Sequence, residues 1–403
     1  QFLSIFVTRR RLGFSRNAGT NVEKMFQGTE ATILNILRER QPISRAGIAQ
    51  VSGISKPAVS EIVGRLIAKG VIAESETGCS TCRGGKKPRL LSFCADFRTI
   101  IAIDIGGTNI RTALSDLDGV FLKRVDGSTR SVRSKAGLIA LITESIHALG
   151  DLTPDRTVGI GIGLPGTVDP GSGMIQYIPS FDLRQITISE ELVKTFGWPV
   201  FLANDVTLNA LGELWKGEAR GTKNLLLVSL GTGTGSGIIL NGQVYEGAHG
   251  YAGEIGYQVT DWSNDGSGKR NGAFGSLENW FSGYHLEERL KKMGRKRSME
   301  AFFEEAESDT ELSDLLRDSI EHLALAISNA IVMFDPESVI LTGGIGYHQY
   351  DRILRMMRPV LQQTVPEEIL KQIVFRKGVL GKDGVLIGAV SYVQGKVIMC
   401  MSS

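Results

Sequence analysis

The residues best placed to do chemistry are glycines at strand turns. The stretch AIDIGGTNIRTALSDLDG, beginning at Ala102, is an apolar run that closes on Asp104, Gly106, Gly107 and Thr108 and continues as a second half-apolar run. A strand that turns through glycines and returns as a strand is either a plain hairpin or a cradle whose backbone N–H groups approach a phosphate chain. The pattern recurs in NLLLVSLGTGTGSGIILNGQVY, where Gly231, Thr232 and Gly233 take up the register of Gly106 to Thr108 at a spacing of 125 residues. A third turn, VILTGGIG with Gly343 and Gly344, follows an apolar helical stretch, where an adenosine would lie against the backbone. One such turn is weak, because turns need glycine anyway. Three in this order point to a duplicated α/β core with a cleft between its halves. No G-x-x-x-x-G-K-[ST] occurs, which excludes a P-loop, and GIGIGLPG lacks the helix start and acidic residue of a dinucleotide fingerprint.

These turns begin only after about a hundred residues of different character. Residues 1–95 hold 15 Lys+Arg against 6 Asp+Glu, whereas the remaining residues hold 30 against 37. A balance of +9 on so short a segment suggests an anionic partner, of which nucleic acid is the commonest. The whole chain, 403 residues with 42% hydrophobic and 22% charged, suits two or three soluble domains. No apolar run approaches the ~18 residues of a membrane helix. In QFLSIFVTRRR the apolar residues precede the arginines, the reverse of a secretory signal, so the chain reads as cytoplasmic. Four cysteines do not make a disulfide framework.

The basic segment itself predicts three helices and a hairpin. TEATILNILRERQ carries Ile33, Leu34 and Leu37 on one face and stops at Pro42. Ser44 caps RAGIAQVS, which Gly53 ends; Ser55 caps KPAVSEIVGRLIAKG, with Pro57 in its first turn. VIAESE and RLLSF then flank the basic loop TGCSTCRGGKKPR. This order is that of a winged helix-turn-helix. Its third helix would enter the major groove of double-stranded DNA with Ser55, Lys56, Ser60 and Glu61, while Arg83, Lys86, Lys87 and Arg89 would meet phosphates from the wing. Winged helices also serve as protein-interaction modules; the local charge favours DNA. Cys79 and Cys82 form a lone C-x-x-C without a second ligand pair or a thioredoxin context, and read as incidental thiols.

Together these features resemble the ROK family (repressors, open reading frames, kinases), in its branch of regulators with an N-terminal winged helix. The resemblance runs from about residue 25 to the helix DGVLIGAVSYVQ. It implies an α/β, actin-like (ribonuclease-H-type) fold with two lobes. The expected domains are a basic arm (1–21), a winged helix (22–95), a small lobe (96–205 with 375–403) and a large lobe (206–374). In the family, D-x-G-G-T and G-T-G-x-G are phosphate motifs, matched here from Asp104 and from Gly231, and the third turn is the adenosine motif. FLANDVTLNALGEL matches the family's N-D motif. An Asp there is the expected general base on a sugar hydroxyl, so Asp205 would fill that role in a kinase and Asn204 would hold a neighbouring hydroxyl. On the residues alone, Asp205 caps the helix that follows, which is compatible with the same role. GYAGEIGY and SLENWFSG match the segments that supply two sugar-hydroxyl acceptors, here Glu254 and Glu278.

One part of the pattern is broken. The family's zinc takes the His of G-E-x-G-H and three cysteines before the second Glu; here Tyr257 replaces the His, Ser276 stands at the last cysteine position, and no cysteine lies between them. Zinc is therefore expected to be absent, with Trp262, Phe274 and Trp280 packing the loop instead. Tyr257 stays among the expected sugar contacts, and the phosphate motifs leave MgATP as a candidate ligand. The winged helix favours a sugar-responsive transcriptional regulator, a repressor of carbohydrate-utilisation genes, over the alternative of an ATP-dependent sugar kinase that carries a DNA-binding domain. A homodimer or higher oligomer follows from paired half-sites.

Overall fold

A computed structural model of the chain describes residues 28–77, 89–152, 154–261 and 276–402. The first segment is α1 (Thr29–Arg40), β1 (Ile43–Ser44), α2 (Arg45–Ser52), α3 (Lys56–Ala68), β2 (Ile72–Thr77) and β3 (Arg89–Phe93). Ser44 and Ser55 accept from Gly47 N and Ala58 N as N-caps, and Gly53 ends α2 at φ 71°. Helix α3 buries Val59, Ile62, Val63 and Leu66. The wing hairpin β2–β3 is antiparallel and carries β1 on its other edge, a two-residue strand too short to show any period in the sequence. The arm, the wing tip with Arg83, Lys86 and Lys87, and the pair Cys79 and Cys82 lie outside the described residues.

The first lobe follows: β4 (Thr99–Ile105), β5 (Asn109–Asp116), β6 (Phe121–Ser128), α4 (Lys135–His147), β7 (Thr157–Leu164), β8 (Thr167–Val168), β9 (Ile175–Ile178), β10 (Leu183–Ile186), α5 (Ser189–Phe196), β11 (Val200–Asn204) and α6 (Asp205–Lys216). The second has β12 (Leu225–Leu230), β13 (Thr234–Leu240), β14 (Gln243–Val244), α7 (Ser276–Trp280), α8 (Gly283–Lys292), α9 (Met299–Glu305), α10 (Thr310–Phe334), β15 (Ser338–Thr342), α11 (Gly343–His348), α12 (Tyr350–Thr364), α13 (Glu367–Leu370) and β16 (Val374–Lys377), before α14 (Gly384–Ser402).

The duplication is explicit in the sheets. Their orders, β6-β5-β4-β7-β11 and β14-β13-β12-β15-β16, are the same, with two antiparallel pairings followed by two parallel ones in each. β4 and β15 are buried at every residue, as central strands covered on both faces must be, which is why they read as unbroken apolar runs. Because β16 pairs with β15, the second lobe extends through Lys377 and the chain returns to the first lobe beyond residue 375.

Helices α6 and α14 pack on each other and on strands β4, β7 and β11 of the first sheet, while α6 also touches β12 and β13 of the second. Buried Glu213 of α6 ties down the return segment: its Oε1 accepts from Val379 N and Leu380 N at 2.9 and 3.0 Å, and its Oε2 from Glu218 N at 2.9 Å. The winged helix shares its core with this lobe. Ile33, Leu66 and Phe93 belong to one apolar cluster with Ile100, Ala102, Leu117, Leu386 and Val393. One polar link crosses the same seam, Leu117 N donating to Ala95 O at 3.1 Å, and within the lobe the buried Gln394 Nε2 of α14 donates to the carbonyl of the same residue, Leu117 O, at 2.7 Å.

Candidate functional site

The cleft is built at the ends of β4, β11, β12 and β15, where each strand leaves its sheet. Asp205 is the first residue of α6, directly after β11. Its neighbour Asn204 is the N-cap, its Oδ1 accepting from Val206 N at 2.9 Å and Thr207 N at 3.1 Å, while its Nδ2 donates to Gly166 O at 3.2 Å. Capping therefore falls chiefly to Asn204, although Asp205 Oδ1 also accepts from Val206 N at 2.9 Å. With one amide hydrogen left over, Asn204 is mainly a positioning residue, and Asp205 is the group free to meet a ligand.

Electrostatics single out the same carboxyl. Burial, then the negative charge of Asp104, then that of Glu254 push Asp205 up to about 7, against the pull of the Val206 N–H. Asp104 is itself raised by burial although Arg111 Nη1 donates to it at 2.9 Å. Glu254 is raised by burial and partly restored by the Thr167 hydroxyl, 3.4 Å away. Carboxyls that feel one another's charge lie near one another, and a carboxyl such as Asp205 that exchanges its proton near neutrality can both accept from and donate to hydroxyls. A ligand dense in hydroxyls matches them.

Glu278, on α7, reaches the second glycine turn, where Thr234 N donates to its Oε1 at 3.3 Å. A Cβ on Gly233 would stand 2.6 Å from that oxygen and would force the Glu278 carboxylate to shift. Tyr257 is half exposed, and its phenol is held up by burial and by the charges of Glu254 and Glu278 beside it. The structure thus gathers Asp205, Glu254, Tyr257 and Glu278, and adds Thr167 and Arg111, which no sequence pattern singles out. Thr167 follows the LPG turn, where Gly166 lies against the Tyr177 backbone with no room for a Cβ.

Gly106 N donates to Asn109 O at 2.8 Å and Gly231 N to Gly233 O at 3.0 Å, so each glycine turn is closed by its own backbone. Gly343, at φ 80°, opens α11 against the Leu230 backbone and brings Gly344 N beside Gly231. A cleft of about 500 Å³ opens there, lined by Gly231, Thr232, Tyr284, Phe303, Gly344 and His348 among others.

The zinc donors of the family pattern do not fit this chain. Tyr257 offers a phenol in place of an imidazole, Ser276 a hydroxyl in place of a thiolate, and the sequence between them holds neither His nor Cys. Trp262 and Phe274 lie outside the described residues. Trp280 stacks on His322 at 3.9 Å, Arg289 lies 4.4 Å over its ring, and His322 Nδ1 is 2.6 Å from Thr260 Oγ1. These contacts anchor both flanks of the segment where the metal would have closed it.

On the winged helix, Ser55, Lys56, Ser60 and Glu61 are exposed at the start of α3. Glu61 pairs with Arg65 at 2.7 Å. Arg89 is ion-paired with Glu74, which also takes Arg45 at 2.8 Å, so two cations share one carboxylate at the base of the wing.

Fold and site together define a winged helix-turn-helix joined to a duplicated, two-lobed domain of sugar-kinase type. The chain belongs to the ROK family, whose profile matches residues 100–396, and a winged helix-turn-helix DNA-binding profile matches residues 29–73. It is 28% identical over 349 residues to the xylose repressor of Caldicellulosiruptor bescii, covering 82% of this chain and 86% of that one. To the glucokinase of Thermotoga maritima it is 29% identical over 319 residues, covering 74% of this chain and 98% of the enzyme. A solved ROK family transcriptional regulator, a homolog of the E. coli MLC protein, has the same fold, with TM-score 0.74 at 23% identity over 94% of this chain and 98% of that one.

Proposed function

We propose that the protein is a sugar-responsive transcriptional regulator, a repressor of carbohydrate-utilisation genes, acting in the cytoplasm as a homodimer on a palindromic operator. The observation that carries this reading is the shared core. Leu208, on the helix that Asp205 begins, belongs to the same apolar cluster as Leu66 of the DNA-facing helix and Phe93 of the wing. A ligand that moves α6 therefore acts on the winged helix through packed side chains, with no flexible linker between. Similarity to a xylose repressor over 82% of the chain supports the same reading, whereas the glucokinase match takes in 74%.

In this reading the carboxyls of Asp205, Glu254 and Glu278 hold the hydroxyls of a sugar or sugar phosphate, with Tyr257 at the rim and Asn204 fixing the entry of α6. Occupancy changes DNA affinity, and linkage requires DNA to change sugar affinity by the same factor. Operator binding followed with and without sugar, and sugar binding followed with and without operator, test it. Absence of any coupling in both directions overturns it.

The second reading, an ATP-dependent sugar kinase, draws on the intact glycine turns and on Asp205, whose pKa near 7 suits a general base. If MgATP binds, Gly106, Gly107, Thr108, Gly231, Thr232 and Gly344 would hold it. Asp205→Asn separates the readings: a sensor keeps its sugar response, while a kinase loses turnover. Wild-type turnover at an ordinary ~1–100 per second would establish the enzyme.

A further inference from the structure

The small sheet β10-β9-β8 borders the carboxyl cluster. In it Thr167 of β8 lies opposite Tyr177 of β9, and Tyr177 lies opposite Arg184 of β10. Residues directly opposite in antiparallel pairs put their side chains on one face, so Thr167, Tyr177 and Arg184 form one row. The row begins at the cleft, where the buried Thr167 hydroxyl donates to Glu254 Oε1 at 3.4 Å. It ends in solvent, at an Arg184 side chain that is 56% exposed. There the guanidinium lies 3.7 Å over the Tyr177 ring, with Nε 3.5 Å from Asp182 Oδ1.

A loop of the second lobe crosses the start of this row. Gly250 rests on β8, its ideal Cβ only 1.9 Å from the Val168 carbonyl oxygen. Two hydrogen-bonded turns follow, in which Glu254 N donates to Tyr251 O at 3.3 Å and Tyr257 N to Glu254 O at 3.1 Å. Such turns bring the Cα atoms of residues three apart to within about 7 Å, so Glu254 has a tyrosine on either side of it in the chain and close in space. Both rings are open to solvent, Tyr251 at 56% and Tyr257 at 50%. Burial, then Glu254, Glu278, Tyr177 and Tyr251 hold the Tyr257 phenol up, which places Tyr177 and Tyr251 near it.

One exposed aromatic side chain needs no explanation, but three about a single hydroxyl acceptor, with a fixed cation beyond them, do. A pyranose has an apolar C–H face and a rim of hydroxyls. Tyrosine offers that face a flat apolar ring with a polar tip, while Arg184 and Asp182 offer its hydroxyls donors and acceptors. From Thr167 to Arg184 the row spans two strand spacings, about 10 Å, which is room for a ring beyond the one at the carboxyls.

We propose that this row is a second sugar subsite and that the effector is a disaccharide, with one ring at Asp205, Glu254 and Glu278 and the next along Tyr251, Tyr177 and Arg184. The inference rests on the reading of the carboxyl cluster as a sugar site and adds the size of the ligand that the site takes.

The test is calorimetric titration of the full chain with matched sugars: glucose against cellobiose and maltose, xylose against xylobiose, and N-acetylglucosamine against its β-1,4 disaccharide. It is repeated on Arg184→Gln and Tyr251→Ala, both outside the carboxyl cluster, and on Tyr251→Phe, which keeps the ring. The expected result is a disaccharide bound more tightly than its own monosaccharide by about tenfold or more, as a ring contact and further hydrogen bonds confer. Arg184→Gln and Tyr251→Ala should each cut that preference several-fold and leave monosaccharide affinity unchanged, whereas Tyr251→Phe should retain most of it. Disaccharides that bind no more tightly than their monosaccharides overturn the proposal and leave the sugar site standing. A preference that survives both substitutions, or that falls only together with monosaccharide affinity, also overturns it. If no sugar of either size binds, the sugar site itself fails, and this proposal with it.

Discussion

Gly388 lies against Leu208 so closely that a Cβ on Gly388 would stand 1.7 Å from the Leu208 carbonyl oxygen. Gly212 faces the Gly384 carbonyl oxygen in the same way, at 2.3 Å from its ideal Cβ. Helices α6 and α14 therefore meet backbone to backbone. Gly388→Ala has to push them apart and should destabilise the protein by about 1–3 kcal/mol or more, the usual effect of overpacking. Gly64→Ala, on α3 with nothing within 4 Å, should instead gain up to about 1 kcal/mol from helix propensity. Urea unfolding of both variants checks the pair.

Asp205 makes stability depend on pH. Its native pKa of about 7 lies above the ordinary 3.8, so between these values the native chain holds a proton that the unfolded chain has released. Stability contributed by that proton is complete below about pH 4 and is lost as pH rises through about 7. The raised Asp104 and Glu254 act in the same direction. Asp205→Asn should be stabilised relative to wild type at pH 8 and gain little at pH 4. Melting temperatures of the two proteins across that range should diverge as pH rises; parallel curves would refute the assignment.

Removing an acceptor should cost sugar affinity alone. Glu254→Ala or Glu278→Ala is expected to weaken the sugar about 10- to 100-fold, the worth of a charge-assisted hydrogen bond. Operator affinity without sugar should be unaltered, because both residues belong to the cleft. Calorimetry and gel shift measure the two quantities separately.

At the winged helix, Lys56→Ala should relax base preference if its ammonium reaches a base edge, whereas Lys86→Ala or Lys87→Ala should weaken all sequences alike. Glu74→Gln releases Arg45 and Arg89 from their shared carboxylate, which these two guanidinium groups hold below the usual range. That variant should bind random DNA more tightly, with a salt dependence steeper by up to about one unit for each phosphate newly neutralised. Titrations at several salt concentrations distinguish the cases.

Gln394→Leu removes the donor to the carbonyl of Leu117, the lobe residue whose N–H donates to Ala95 at the base of the winged helix, and leaves that carbonyl unsatisfied. Affinities for sugar alone and for operator alone should change little. The factor by which one alters the other should shrink, and a typical coupling is about 1–3 kcal/mol. An unchanged factor would show that the contact at Leu117 carries none of the coupling.

The glycine turns are readable in the sequence because a strand ending in Gly106 or Gly231 leaves a local signature. The winged helix is legible for the same reason: Ser44, Gly53, Ser55 and Pro57 punctuate it residue by residue. What escapes depends on contacts distant in the chain. Thr167 meets Glu254 only after the sheets have formed, and a lone threonine announces no site. Asp205 stands out in the sequence, but its division of labour with Asn204 does not, since both are good capping residues and only the backbone angles decide between them. The small sheet β8–β9–β10 hides in strands of two to four residues, too short for periodicity to register.

The path of the chain through its two lobes also sets an order of manufacture. Strands β4 to β11 leave the ribosome early, yet the helix that covers them, α14, comes after the whole second lobe. Until Gly384–Ser402 has been made, the face carrying Ile100 and Ala102 has no Leu386, Ala389 or Val393 to close it. A nascent chain therefore carries a winged helix and a first lobe whose common core is still open, and folding of the first lobe waits for translation to pass the second. Messages cut short before residue 384 would yield chains with that apolar face uncovered and open to proteolysis.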